Sequence, residues 1–263
     1  MPASVRPAAV AGMFYPADSE QLEGQIQACL EHAKHATGPN QIQAIITPHA
    51  GLIYSGPTAA VAWSQAHKAR PDVSRILLLG PSHRVGFTGI ATSPAKAWRT
   101  PLGEINLDQE RAQQLERELP FVQLYELAQE HSLEVQVPFI QTLYPGAKLL
   151  PLVVGNASAQ QVAQVLNKFW QDQDTLIAIS SDLSHFHDYQ TAQQLDQATV
   201  DAICHYQVNR IGPEQACGCR AINGLLLLAQ QGGHSIAPLE LCNSGDTVGD
   251  KDRVVGYGAI AVL

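Results

Sequence analysis

A buried strand gives way to a polar loop at Ile45-Ile46-Thr47-Pro48-His49-Ala50-Gly51. Its apolar start predicts the strand, and Pro48 and Gly51 predict the turn around His49. Two more histidines follow apolar runs in the same way, His83 after residues 77–81 and His185 after residues 177–184. Ligands of open α/β sheets bind beyond the carboxyl ends of the strands. We therefore expect the three histidines to share one site.

Strand-like and helix-like segments alternate along the chain. The patterns predict strands at 43–47, 75–79, 89–93, 148–154, 175–180, 235–242 and 254–263, and helices at 57–66, 107–118, 159–171, 189–205 and 221–231. A further helix is predicted after Glu130, ending before Tyr144, and Pro57 is expected to open the helix at 57–66. Because no repeat or linker divides these segments, we predict one domain over residues 1–263. Its class is α/β, with three α/β/α layers and a mostly parallel mixed central sheet that carries antiparallel strands at one edge.

Composition limits the possible partners. The chain has 263 residues, of which 45% are hydrophobic, and this is enough for a full core. A net charge of −8 without a lysine or arginine cluster argues against nucleic acid and anionic membranes. The first residues lack the apolar core of a secretion signal, and the five cysteines are irregularly spaced, so we expect a cytoplasmic protein with free thiols. Small molecules, metals or proteins are the expected partners.

The strand-end histidines predict a metal site. Imidazole is a common ligand of iron, zinc and copper, and a complete ligand set needs two or three histidines with an anionic residue. Asp182 could ligate the metal, orient an imidazole or cap a helix. Cys217 stands just before a predicted helix and offers a thiolate. The pattern alone leaves the choice between them open.

A second acidic segment surrounds His131. Glu134 follows this histidine by three residues, so both side chains could face the site if they share the first turn of a helix. Glu130 is better interpreted as an acidic residue at a helix N-terminus, where the helix dipole favours it. Glycine-rich nucleotide loops and the serine-hydrolase elbow are absent from the sequence.

With these segments in view, the chain resembles the Memo family, named for a mediator of cell motility. The matching stretches, in family order, are residues 11–15, 48–56, 79–83, 99–103, 130–134, 180–185 and 217–218. The resemblance implies the fold of the class III extradiol dioxygenases, non-haem iron enzymes that cleave catechol rings. Where the family continues after its Cys-Gly segment with small residues and Pro-Ile, this chain has Cys219-Arg220-Ala221-Ile222. The resemblance therefore leaves open whether Cys219 contributes to the site.

The resemblance also implies roles for individual residues. His49 and His83 occupy the two histidine-ligand positions, and Cys217 stands where the dioxygenases carry a glutamate ligand. His185 matches their acid/base histidine. Asp182 and His131 fall in motifs that line the pocket.

Two classes of function follow from this resemblance. The first is a mononuclear site holding Fe²⁺, or alternatively Zn²⁺ or Cu, that acts on O₂ or on a small aromatic or redox substrate. A thiolate ligand favours softer metals and can be oxidised, so extradiol cleavage does not follow from the fold. The second is a binding module whose crevice holds a phosphotyrosine-type peptide or another protein partner. Apart from both stands a structural interpretation, in which the histidines and Cys217 form an inherited pocket without turnover. Against the peptide stands the lack of an arginine cluster, although Arg84 and Arg99 lie nearby in sequence.

Overall fold

The computed structural model describes residues 5–263 and contains a large mixed sheet covered by helices. The strands are β1 Val5–Arg6, β2 Ala44–Thr47, β3 Arg75–Pro81, β4 Ile90–Thr92, β5 Ala97–Thr100, β6 Gly103–Asn106, β7 Val122–Leu124, β8 Lys148–Val154, β9 Thr175–Ser180, β10 His185–His187, β11 Ile236–Asn243 and β12 Val254–Val262. The helices are α1 Ser19–His32, α2 Leu52–Ala69, α3 Gln109–Glu118, α4 Val137–Leu143, α5 Ala159–Asn167, α6 Tyr189–Cys204 and α7 Cys219–Gly232. Short 3₁₀ turns lie at Ala33–His35, Glu134–Gln136, Val208–Arg210 and Ser244–Asp246.

The central sheet runs in the order β10-β12-β2-β9-β3-β8-β4-β7, with β11 also paired to β12. Its middle strands β2, β9, β3 and β8 are parallel, as predicted. Antiparallel pairs flank them on both sides, through β12 and through β4, where one such edge was expected. A separate three-stranded sheet has the order β1-β5-β6.

Two hydrophobic clusters lie on opposite faces of the sheet, which confirms the three-layer architecture. On β3, Ile76 and Leu78 belong to one cluster, while Leu77 and Leu79 belong to the other. Helices α1, α2 and α4 supply the first cluster, and α3, α5, α6 and α7 supply the second. Strands buried on both faces need apolar side chains at consecutive positions, which explains the unbroken apolar runs of the sequence.

Helix α2 begins earlier than predicted. It starts at Leu52, directly after the His49 loop, and Pro57 lies inside it instead of opening it. Proline removes the hydrogen bond to the carbonyl four residues earlier. That residue, Ile53, lies in the first turn of α2 and is 57% exposed. None of the described helices is both long and apolar enough to cross a bilayer.

Candidate metal-binding site

Three histidines meet at the carboxyl edge of the parallel strands. His49 follows β2, His83 follows β3, and His131 lies in the segment before α4. One ring nitrogen of each lies within 4.8 Å of the others. The ring centroid of His83 is 5.3 Å from that of His49 and 4.6 Å from that of His131. The three side chains are close enough to hold one metal ion.

The three clustered histidines are not the three that the sequence predicted to share a site. His185, on β10, lines the same cleft, but His131 and not His185 completes the close group of three. The sequence signal for His131 was its place in the Glu130–Glu134 motif. Strand order explains the difference, because β10 pairs with β12 at the far edge of the sheet and is separated from β3 by three strands.

A serine selects the tautomer of His49. The Ser180 hydroxyl donates to the Ser132 carbonyl at 2.6 Å, so its oxygen can only accept from His49 Nδ1, 2.9 Å away. Gln136 Nε2 donates to the same oxygen at 2.9 Å. Burial, followed by the nearby His83, lowers the pKa of His49 to about 3. His49 is therefore neutral, with its hydrogen on Nδ1 and the lone pair of Nε2 available to a metal.

Glu130 does the same for His83. It is 3% exposed; its Oε2 accepts the backbone N–H of His83 at 2.6 Å, and its Oε1 lies 3.0 Å from His83 Nδ1. Burial alone would raise the pKa of Glu130, but the bonds from His83 and Ser132 lower it to about 2. The interpretation of Glu130 as an acidic residue at a helix N-terminus was therefore wrong, since the following helical turns begin at Glu134 and Val137. Only the tertiary fold brings this carboxylate to the His83 loop.

His131 has a nitrogen without a partner. Its Nδ1 is buried and makes no hydrogen bond within the described chain. It lies 3.4 Å from Glu130 Oε1, which already accepts from His83 Nδ1 and from the backbone of His131 and Ser132. Burial and His49 lower the pKa of His131 to about 4, and its ring packs on Phe14 with centroids 4.5 Å apart. Neutral imidazoles with free lone pairs are a donor set that fits a transition metal.

Cys217 lies next to His49 but outside the close group of three histidines. Its Sγ is 3.4 Å from His49 Nε2 and accepts the backbone N–H of Asp182 at 3.3 Å. Two donors on one tetrahedral ion stand about 3.5 Å apart, given metal bonds of about 2.0–2.3 Å. Burial and the Asp182 carboxylate raise the pKa of this thiol. Cys217 borders a separate cavity of about 250 Å³ together with Cys219, whose side chain is buried in the second hydrophobic cluster.

The two remaining acidic candidates differ in position. Asp182 Oδ1 accepts the backbone N–H groups of His49 at 2.7 Å and Ala50 at 3.3 Å, so this carboxylate holds the His49 loop. It does not cap the next helix, α6, whose N-cap is Asp188. Glu134 points away from the histidines: it pairs with Arg6 at 2.5 Å and accepts from Tyr15 at 2.7 Å. It therefore anchors the N-terminal segment and lies outside the site.

The histidines open into a cleft of about 590 Å³. Its lining combines the histidines and Asp182 with aromatic, aliphatic and charged side chains, namely Phe14, Tyr54, His185, Phe186, Val248, Asp250, Arg253, Val255 and Tyr257. A mostly apolar pocket of this size with a few convergent polar groups is typical of small-molecule sites.

Comparison with known proteins agrees with the resemblance in sequence. The family model described as Memo-like protein matches residues 6–261. MEMO1 family proteins of Nitrosopumilus maritimus and Sulfurisphaera tokodaii are both 32% identical to this chain. The alignments cover 98% and 96% of this chain and 100% and 97% of the relatives, respectively. A crystal structure of an uncharacterized Escherichia coli K12 protein aligns with a TM-score of 0.49 at 12% identity, over 83% of this chain and 98% of that chain.

Proposed function

The chain belongs to the Memo-like protein family, and from this premise we propose that it is a mononuclear metalloprotein with redox or O₂-linked chemistry on a small substrate. The observation that carries the proposal is the group of histidines 49, 83 and 131, whose ring nitrogens lie within 4.8 Å of one another. Because Nδ1 of His49 and of His83 bonds Ser180 and Glu130, Nε2 is the ring nitrogen that each of them can offer to a metal. Iron as Fe²⁺ is the proposed metal, with Zn²⁺ or Cu as alternatives.

We assign roles as follows. His49 and His83 hold the metal together with Cys217, whose sulfur lies at a suitable distance from His49 Nε2. His185, on the cleft wall, gives and takes protons, and His131 lies beside the ligands as a second proton-transfer group or an additional donor. Asp182 positions His49 through its backbone. The bound metal would supply Lewis acidity and, for iron or copper, electron transfer to substrate or O₂.

Metal analysis after anaerobic purification tests the proposal. We expect about one iron per chain in the wild-type protein, and loss of most of it in the His49→Ala/Cys217→Ser double variant, because two donors are removed. Cys219→Ser is the matched control, since this neighbouring thiol is buried in the core, and should retain the metal. The His131→Ala variant distinguishes the two roles proposed for His131. Loss of metal would indicate a metal ligand, and retention of metal would indicate a proton-transfer group. A wild-type protein without stoichiometric metal, or a double variant that keeps it, would contradict the proposal.

The alternative proposal, a peptide-binding module, uses the same cleft. Arg99 is engaged by Glu104 at 2.6 Å, and Arg84 does not line the cleft, so neither supplies the cationic cluster that phosphate recognition normally needs. Calorimetric titration with phosphotyrosine peptides, with binding lost in His83→Ala, would favour this alternative over the enzyme.

A further inference from the structure

Phe186 occupies an unusual backbone position at the mouth of the cleft. Strands β10 and β12 pair His185 with Val255 and His187 with Val254, so Phe186 is the extra residue of a β-bulge. Its φ of 64° lies in the left-handed region, which favours glycine at such bulges. The chain nevertheless carries a phenyl group there, 61% exposed and lining the cleft. Bulges re-aim side chains beside active sites, and retained backbone strain points to a function for the side chain that bears it.

An arginine lies against this ring. The Cζ atom of Arg253 is 5.0 Å from the centroid of Phe186, and Arg253 also lines the cleft. Within residues 5–263 its guanidinium has no carboxylate within 4.0 Å and donates no hydrogen bond, whereas its backbone N–H bonds Asp250 Oδ1 at 3.3 Å. Stacking on an aromatic face orients a guanidinium and leaves its donors free for a planar anion.

The other residues that line the cleft indicate what kind of molecule carries the anion that Arg253 would bind. Phe14, Tyr54 and Tyr257 add aromatic walls to the cleft, next to the metal-site histidines. A flat apolar body fits between such walls, and one bidentate guanidinium matches one carboxylate. A phosphate would carry about two negative charges, and the cleft offers it a single arginine with the Asp250 carboxylate close by.

We propose that the substrate is a small aromatic carboxylate, with its carboxylate bound by Arg253 and its ring packed on Phe186. This rests on the proposed function, because it names the substrate class of the same metal site. Arg253 and Phe186 are then the residues that determine specificity, while His49, His83 and Cys217 hold the metal.

Ligand titration of the anaerobically purified protein with benzoate and its neutral isostere benzamide, with the metal content of each sample measured, tests this inference. We expect benzoate to bind more tightly, and Arg253→Gln to weaken benzoate about tenfold or more while leaving benzamide unchanged. Phe186→Gly should weaken both ligands several-fold without lowering the melting temperature, because glycine adopts a φ of 64° without strain. Lys251→Gln is the matched control: it removes a nearby positive charge that lies over Tyr189, outside the cleft lining, and should change neither affinity.

Three results would overturn the inference: benzoate binding no tighter than benzamide, equal losses of both ligands in Arg253→Gln, or phenyl phosphate binding more tightly than benzoate. The metal content of every sample keeps the two proposals apart. If benzoate binds more tightly than benzamide but the protein holds no stoichiometric metal, only the proposed function is contradicted. If the metal content is full but benzoate binds no more tightly than benzamide, only the substrate class is contradicted.

Discussion

Each of the two histidines proposed as metal ligands has a hydrogen-bond acceptor at its Nδ1 that is not itself a proposed ligand. Ser180 takes the Nδ1 hydrogen of His49, and Glu130 takes that of His83. Both acceptors are buried, so water cannot replace them easily. Residues behind the ligands commonly set both the tautomer and the orientation of metal-bound imidazoles.

The Ser180→Ala variant tests this dependence. Without the hydroxyl, His49 Nδ1 loses its acceptor, and we expect metal affinity to fall about 10–100-fold although every ligand is present. Competition with a chelator of known affinity measures the change. Ser93→Ala, another buried serine but one that bonds Glu126, should leave the affinity unaltered. Unchanged metal affinity in Ser180→Ala would contradict the assigned tautomer.

We expect the carboxyl of Asp196 to make the free energy of unfolding depend on pH. This carboxyl on α6 is 1% exposed; its Oδ1 accepts the Ser184 backbone N–H at 2.9 Å, and burial raises its pKa above the ordinary 3.8. Because the pKa of Asp196 is higher in the folded state, its favourable contribution to the free energy of unfolding is present below pH 3.8. This contribution is lost as the pH rises through the folded-state pKa. We expect Asp196→Asn to gain stability relative to wild type between pH 3 and pH 7.

Urea unfolding of both proteins across this range measures the difference in free energy. Asp201→Asn, an exposed position on the same helix, is the matched control for the change from carboxyl to amide. A pH-independent difference for Asp196→Asn would show that burial does not control this carboxyl.

At the scale of elements, α5 and α7 approach each other through a glycine. A Cβ on Gly224 would lie 2.4 Å from Cβ and Cγ1 of Val162 and 3.1 Å from the Ala159 carbonyl. We expect Gly224→Ala to lower the free energy of unfolding by about 1–3 kcal/mol through overpacking. Gly24→Ala, in the exposed middle of α1 with nothing within 4 Å, should raise it by about 0.5–1 kcal/mol. Denaturant unfolding of the pair checks the opposite signs, and a stabilising Gly224→Ala would disprove the close contact.

Element boundaries were predicted best where a strand is buried on both faces. The apolar runs gave Lys148–Val154 and Thr175–Ser180 with their observed bounds. The start of α2 was predicted too late in the chain, because the preference of proline for a first turn is only a local tendency. Packing against the sheet extends the helix to residues before Pro57. The bulge at Phe186 has no local signal, since nothing in His185-Phe186-His187 requires a positive φ.

For the whole molecule, a bound metal would connect the loops after β2 and β3 with the segment before α4. An ion that binds only the folded chain stabilises it by about 2.7 kcal/mol at a free concentration one hundred times Kd. We therefore expect Fe²⁺ or Zn²⁺ to raise the melting temperature of the wild-type protein, and His49→Ala to abolish the effect. Mg²⁺ prefers oxygen ligands and serves as the control ion. Equal stabilisation by Mg²⁺, or a shift that persists in His49→Ala, would place the ion elsewhere.

Local patterns in the sequence were sufficient to predict the layered α/β architecture and to select His49 and His83 as candidates for the site. Burial of a strand on two faces and a turn after a strand both leave signals within a few residues. The partners of those histidines leave no such signal. Glu130 reaches His83 across 47 positions and Ser180 reaches His49 across 131, and the same residue types occur on ordinary helices and loops. Only the packing of distant strands and loops determined which acids and hydroxyls stand behind the site, that Glu134 faces Arg6, and that Phe186 and Arg253 meet over the cleft.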